Sequence, residues 1–179
     1  MNPRLALALA SGAALVAVSG SPATAPVESA SGSAHWTIPL PNDFDVEVLN
    51  RTLSFNARQN ADGSVGGHFE YHQVAEGEAF KFNVSVTCLN VYDGHRAKLG
   101  GVIQVSNDPT LPVGTFAWFQ VFDNGEGANA PADRSSLIGF GTEAANEAFC
   151  NSPNVPRFGP WDVEGKLKVR VKGPEHDDD

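Results

Sequence analysis

Two histidines and a carboxylate at alternate positions, His68, Glu70 and His72, open the list of residues that could do chemistry in this 179-residue chain. In extended backbone the three side chains share one face, with Phe69 and Tyr71 on the other. Two imidazoles and a carboxylate make a three-ligand set for zinc, copper or ferrous iron that leaves coordination positions open for a substrate. Side chains two apart on a strand splay by roughly 7 Å, however, whereas metal–ligand bonds are about 2 Å, so adjacent ligands must lean inward. Phe69 and Tyr71 mark the core face, and the trio then reads as ordinary exposed polar residues ahead of a metal-dependent enzyme of barrel type.

A second candidate is the segment 123–133, where Asp123, Glu126 and Asp133 alternate with glycines and asparagines. Calcium takes six to eight oxygen ligands, and glycines let a chain curl around it. The spacing is not that of an EF-hand, and the same residue types serve any long β-connection, so a structural loop is the favoured reading. The third candidate is Phe116–Phe122, apolar on both faces. Either another element covers its second face, with 142–149 and the chain around Trp36 and Phe44 available to do so, or Phe116, Trp118 and Phe122 line a ligand-binding patch. Large exposed apolar patches are rare on soluble monomers, which favours the covered core.

Cys88 and Cys150 are the only cysteines. In an oxidising compartment they pair by default, and neither has a neighbouring base or helix start that would activate a thiol. No nucleophile elbow, phosphate-cradling glycine loop or close carboxylate pair appears, and no catalytic residue follows from the motifs present.

The elements that must position these residues are strands. Phe80, Phe82, Val84, Val86 and Cys88 fall on one face of an alternating run, with Lys81, Asn83, Ser85 and Thr87 on the other, as in an antiparallel sheet packed on one side. Trp161, Val163, Leu167, Val169 and Val171 alternate in the same way, leaving Lys166, Lys168, Arg170 and Lys172 as an outer basic stripe. Further strands are predicted over 52–58, 64–74, 96–105, 115–123 and 135–140, with Asp62-Gly63 and Asp93-Gly94 as turn signals. The one helix-permissive stretch, 142–149, is a turn or two at most. The prediction is an all-β domain, an antiparallel sandwich or small barrel of about seven to eight strands with at most one short helix.

Arg4 followed by an apolar run over residues 5–20 and by Ala23 and Ala25 reads as a signal peptide, 1–25. The run is 16 residues, diluted by Ser11, Gly12 and Ser19, and falls short of the roughly 20 that a membrane span needs. A Ser-, Ala- and Pro-rich flexible linker is predicted over 26–42, a single β domain over 43–172, and a disordered acidic tail over 173–179. Loss of Arg4 leaves 11 basic against 21 acidic residues, a balance that repels nucleic acid. Asn50-Arg51-Thr52 and Asn83-Val84-Ser85 match the glycosylation acceptor pattern but fall at or in strands, where chance matches are favoured.

The runs Leu53-Ser54-Phe55-Asn56-Ala57 before Asp62-Gly63, Val86-Thr87-Cys88-Leu89-Asn90-Val91, and Asp123-Asn124-Gly125-Glu126-Gly127 leading to Ala130-Pro131 and Asp133 together resemble a group of small secreted bacterial proteins of unassigned activity. The resemblance implies export, a bacterial source and a single domain, and carries no catalytic residues. The expectation is a monomeric, disulfide-stapled module, secreted or held at the cell envelope or in the periplasm. It binds a small ligand, glycan or protein and requires no cofactor, with calcium or zinc as the metals its candidate sites would take. A metal-dependent enzyme using His68, Glu70 and His72 and a structural or matrix protein are the alternatives.

Overall fold

A computed structural model describes residues 27–38, 49–153 and 159–171. The predicted signal peptide, the ends of the predicted linker and the acidic tail lie outside the described residues. The all-β class is as expected, with ten strands rather than seven or eight among the described residues. They are β1 (Glu28–Ile38), β2 (Leu49–Gln59), β3 (Val65–Ala75), β4 (Glu78–Tyr92), β5 (Arg96–Ser106), β6 (Phe116–Phe122), β7 (Arg134–Ser135), β8 (Gly139–Gly141), β9 (Trp161–Asp162) and β10 (Glu164–Val171), with helix α1 (Glu143–Asn151) between β8 and β9. All pairings are antiparallel, in the order β10-β1-β2-β3-β4-β5-β6-β7-β9, and β8 also pairs with β6. Because β9 and β10 are separated only by Val163, the two ends of this order meet, and the sheet is a nearly closed barrel.

The stretch expected as a flexible linker, 26–42, contributes β1, which is paired along both edges, so the folded domain begins before residue 43. The inward positions of its first part, Ala30, Gly32 and Ala34, are small, which hid the strand, and only Trp36 and Ile38 at its end are large. Gly32 lies directly between Leu167 of β10 and Phe55 of β2. A Cβ there would overlap the Lys166 carbonyl and the Leu167 side chain. Large side chains on the flanking strands fill the volume that β1 leaves, the small–large alternation by which a narrow barrel closes on a packed interior.

That interior holds Trp36, Leu53, Phe55, Phe69, Phe82, Leu99, Ile103, Phe119 and Leu167. Phe119 meets both Phe55 and Phe69 edge to face, at centroid distances of 5.4 and 5.0 Å. The turn signals hold: Asp93 and Gly94 both take positive φ, as a tight hairpin of opposite twist requires. Glu76 and Gly77 do the same at the β3–β4 hairpin.

One prediction of side-chain direction and one of strand extent change. In β4 the pairing slips between Val86 and Cys88, and the bulge reverses the phase. Leu89 and Val91 continue the inner face, and Cys88 points outward to Cys150 of α1, not into the core. The segment 135–140 is not one strand. It forms β7 and β8, both on the β6 edge, joined by 136–138.

Helix α1 begins at Thr142, whose hydroxyl accepts from the Ala145 amide, and lies across the outer faces of β4, β5 and β6. The Cys88–Cys150 disulfide joins it to β4, with 6.5 Å between Cα atoms and 62 residues in sequence. Asn90 Nδ2 donates to the Cys150 carbonyl at 2.7 Å, and Lys98 Nζ donates to the Ser152 carbonyl.

Candidate functional site

The three sequence candidates take separate places. His68, Glu70 and His72 face outward on β3, while Phe69 and Tyr71 enter the core. Glu70 pairs with Lys81 across the β3–β4 ladder at 3.0 Å, and no three His, Cys, Asp or Glu side chains among the described residues are arranged to hold a metal ion.

In the segment 123–133, Asp123 and Asp133 lie at the barrel seam. Asp123 Oδ1 accepts from the Gly125 amide at 3.0 Å and Oδ2 from the Val169 amide at 2.9 Å. Asp133 Oδ1 and Oδ2 accept from Asn124 and Leu167, both at 2.9 Å, while the Asp133 carbonyl takes the Val163 amide at 2.9 Å. All four carboxylate oxygens thus face amide donors, and two of those donors belong to the free edge of β10. The carboxylates replace a missing strand ladder. Glu126 points elsewhere, to Lys168 at 3.6 Å. A cleft of about 270 Å³ between this loop and β10 is lined by glycine backbone, Lys166 and Asp133.

The aromatic strand is covered. Ala117, Phe119 and Val121 point into the barrel, whereas Trp118 stacks on Phe149 of α1 at 6.0 Å and the Arg96 guanidinium lies over the Phe122 ring at 5.2 Å. Phe116, Trp118 and Phe122 therefore do not form an open patch. Beneath α1, Gln120 and Asn146 are 0% and 1% exposed and hold amide atoms without partners among the described residues, and Lys98 is enclosed beside them, its pKa lowered below the ordinary lysine value by burial. A solute could reach them only by displacing a helix that the disulfide ties down.

A different place combines access with unsatisfied polar groups. At the end of the barrel where β1 and β3 finish and β2 and β4 begin, Trp36, Arg51, Gln73 and Phe80 stand opposite one another in a single cross-strand row. Opposed residues of antiparallel strands point to the same face, so this row closes the inner surface at the mouth. Arg51 is 5% exposed. Its Nε donates to Gln73 Oε1 at 3.1 Å, and Tyr71 Oη donates to the same oxygen at 2.9 Å. Arg51 Nη1 and, across the pair, Trp36 Nε1 are buried donors with no acceptor among the described residues. No carboxylate among the described residues forms an ion pair with Arg51. Burial pushes the Tyr71 phenol up to about 12 against the opposing pull of the Arg51 charge, so it remains a protonated donor at neutral pH.

No family model, curated protein or solved structure matches the chain.

Above this polar floor is a cavity of about 240 Å³, walled by Phe80, Phe82, Leu111, Leu137, Ile138 and Phe140. Tyr71 and Phe140 flank Phe82 at centroid distances of 5.2 and 5.5 Å. The rim leaves apolar surface in solvent, with Phe140 39% exposed. Asp108 is the acidic residue lining the cavity, and its Oδ1 already accepts from Thr110. The sequence contained the signal for this site in the phase of β2. Arg51 is in register with Leu53, Phe55 and Ala57, an arginine at a core position, but a strand started at Thr52 leaves it out.

Proposed function

We propose that this chain is an exported binding module that takes a small ligand at the barrel mouth formed by Arg51, Tyr71, Gln73, Phe80, Phe82, Leu111, Leu137, Ile138 and Phe140. The observation that carries the reading is an aromatic-walled, solvent-open cavity lined by Arg51, a largely buried guanidinium with no ion-pair partner among the described residues. A buried donor left unpaired costs about 1–3 kcal/mol, and apolar walls with few convergent polar groups are what a small-molecule site needs. Export is supported by the disulfide, which fits an oxidising compartment, and by the leader-like residues at the start of the sequence. No helix among the described residues is long and apolar enough to cross a membrane.

The test is amide chemical-shift mapping on the oxidised, isotope-labelled protein against a panel of small aromatic and aliphatic compounds, charged and neutral. Saturable shifts centred on Tyr71, Gln73, Phe82, Leu111 and Ile138 are expected. Shifts confined to the 123–133 loop, or none from any compound, would sink the proposal.

A further inference from the structure

If the barrel mouth is a binding site, as proposed, its chemistry also constrains the kind of molecule it takes. Among the described residues Arg51, which lines the cavity, has more donors than acceptors: its Nη1 has none, and Gln73 Oε1 is already shared by Arg51 Nε and the Tyr71 hydroxyl. Its guanidinium carries a full positive charge in a site where the nearest hydrogen-bonding partner is a neutral amide. A buried guanidinium without a counter-charge is costly, and truncating around it does not remove the cost; an incoming anion does. Planar oxyanions match the guanidinium fork, forming short charge-assisted hydrogen bonds roughly twice as strong as neutral ones.

Size and rim chemistry narrow the class further. A cavity of about 150 Å³ lined by apolar side chains holds benzene, so the roughly 240 Å³ here suits one ring or a short chain bearing one small head group. Phe80, Phe82 and Phe140 offer ring edges and faces to an aromatic or aliphatic body. A second anionic group on the ligand would have to share the cavity with Asp108, a like charge. That arrangement disfavours phosphomonoesters and dicarboxylates and leaves the monoanion.

We infer that the barrel mouth binds a small apolar monocarboxylate, with its carboxylate on the Arg51 guanidinium and its apolar body against Phe80, Phe82 and Phe140. The orientation comes from the geometry: charge inward, body toward the exposed rim at Phe140. Ligands with longer bodies would extend past the rim at Phe140.

The experiment compares matched pairs on the wild-type protein by chemical-shift titration: benzoate with benzamide, phenylacetate with 2-phenylethanol, hexanoate with hexanol, and phenyl phosphate as the dianion. Carboxylates are expected to bind at least tenfold tighter than their neutral partners and tighter than phenyl phosphate. Arg51→Met should erase that preference, so that carboxylates bind no tighter than their neutral partners, with a thermal midpoint at or above wild type, since an uncompensated buried charge is replaced by an apolar chain of similar length. Equal binding of carboxylates and neutral partners, or tighter binding of phenyl phosphate, would overturn the monocarboxylate while the mouth remains a binding site. Shifts from no compound at all would overturn both readings together. The wild-type comparison decides the matter even if the Met variant does not fold.

Discussion

Replacing Asp133 with alanine should loosen the barrel at its seam. Asp133 holds two backbone amides through its carboxylate, Asn124 on its own loop and Leu167 on β10, both at 2.9 Å. Leu167 is 2% exposed, so its amide has no water to turn to when the carboxylate goes. Hydrogen bonds to charged groups contribute about 1.5–3 kcal/mol, and an orphaned buried donor costs a similar amount. Asn124 is half-buried and can be rehydrated, so its share is small, and the expected loss is about 3 kcal/mol. On a domain of this size that lowers the thermal midpoint by roughly 10 °C. Asp133→Asn should lose less, because its amide keeps one acceptor oxygen but turns a donor toward the second N–H. The assay is urea unfolding of the oxidised protein combined with amide hydrogen exchange. The local signature is faster exchange at Leu167 and Val169, with exchange in β3 and β4 changed only by the global loss. A cation held by Asp123 and Asp133 would make EDTA reproduce the alanine variant, whereas the hydrogen-bonded seam leaves EDTA and added calcium without effect. A loss under about 0.5 kcal/mol, or unaltered exchange at Leu167, would refute the account of the seam.

Three other outcomes are expected from the same structure. Reduction of Cys88–Cys150, which closes a separation of 62 residues, should cost about 4 kcal/mol on the chain-entropy model, read as the difference between urea curves with and without reductant. Gly100→Ala should destabilise by about 1–3 kcal/mol, because its Cβ would overlap Asn146 Oδ1 under α1, and Asn146→Ala in the same chain should restore most of the loss; simple additivity in the double-mutant cycle would show that the clash lies elsewhere. The chain has only two tyrosines, Tyr71 and Tyr92, and burial raises both to about 12, so tyrosinate absorbance should be nearly absent at pH 10. The unfolded chain ionises first, so the Tyr71 contribution, about 3 kcal/mol, is complete below pH 10 and is lost as pH climbs from 10 to about 12. A tyrosine titrating near 10 in the folded protein would contradict the buried phenol at the mouth.

What the sequence disclosed depended on whether a strand carries its own apolar content. Phe69, Tyr71, Phe82, Val84, Leu167 and Val169 alternate with polar residues and point inward as their spacing requires. The double-sided apolar run of β6 was legible too, since the Trp118 face is packed by Phe149 of the helix expected at 142–149. β1 was not, because Ala30, Gly32 and Ala34 borrow their core from Phe55 and Leu167 across the ladder, and a small-residue strand has the composition of a spacer. The direction of Cys88 was lost at a one-residue bulge, which inverts every later side chain and leaves no mark in the pattern. The seam was hidden for another reason: the acceptors for the amides of Leu167 and Val169 come from Asp133 and Asp123, 34 and 46 residues away in sequence.

The two ends of the barrel show how a structural carboxylate or guanidinium differs from a functional one. At the seam, Asp123 and Asp133 looked like cation ligands by composition, yet each oxygen has an amide, and the group is complete within the chain. At the mouth, Arg51 looked like part of a chance glycosylation pattern, yet it is buried beside a solvent-open cavity with a donor that no described residue satisfies. Charge held against the barrel wall is common to both ends. Incompleteness combined with access separates them, because folding selects against an unpaired buried charge unless something outside the chain completes it. By that criterion the outward-facing His68, Glu70 and His72, with Glu70 already on Lys81, and the sealed amides of Gln120 and Asn146 each lack one of the two conditions, and the Arg51 mouth meets both.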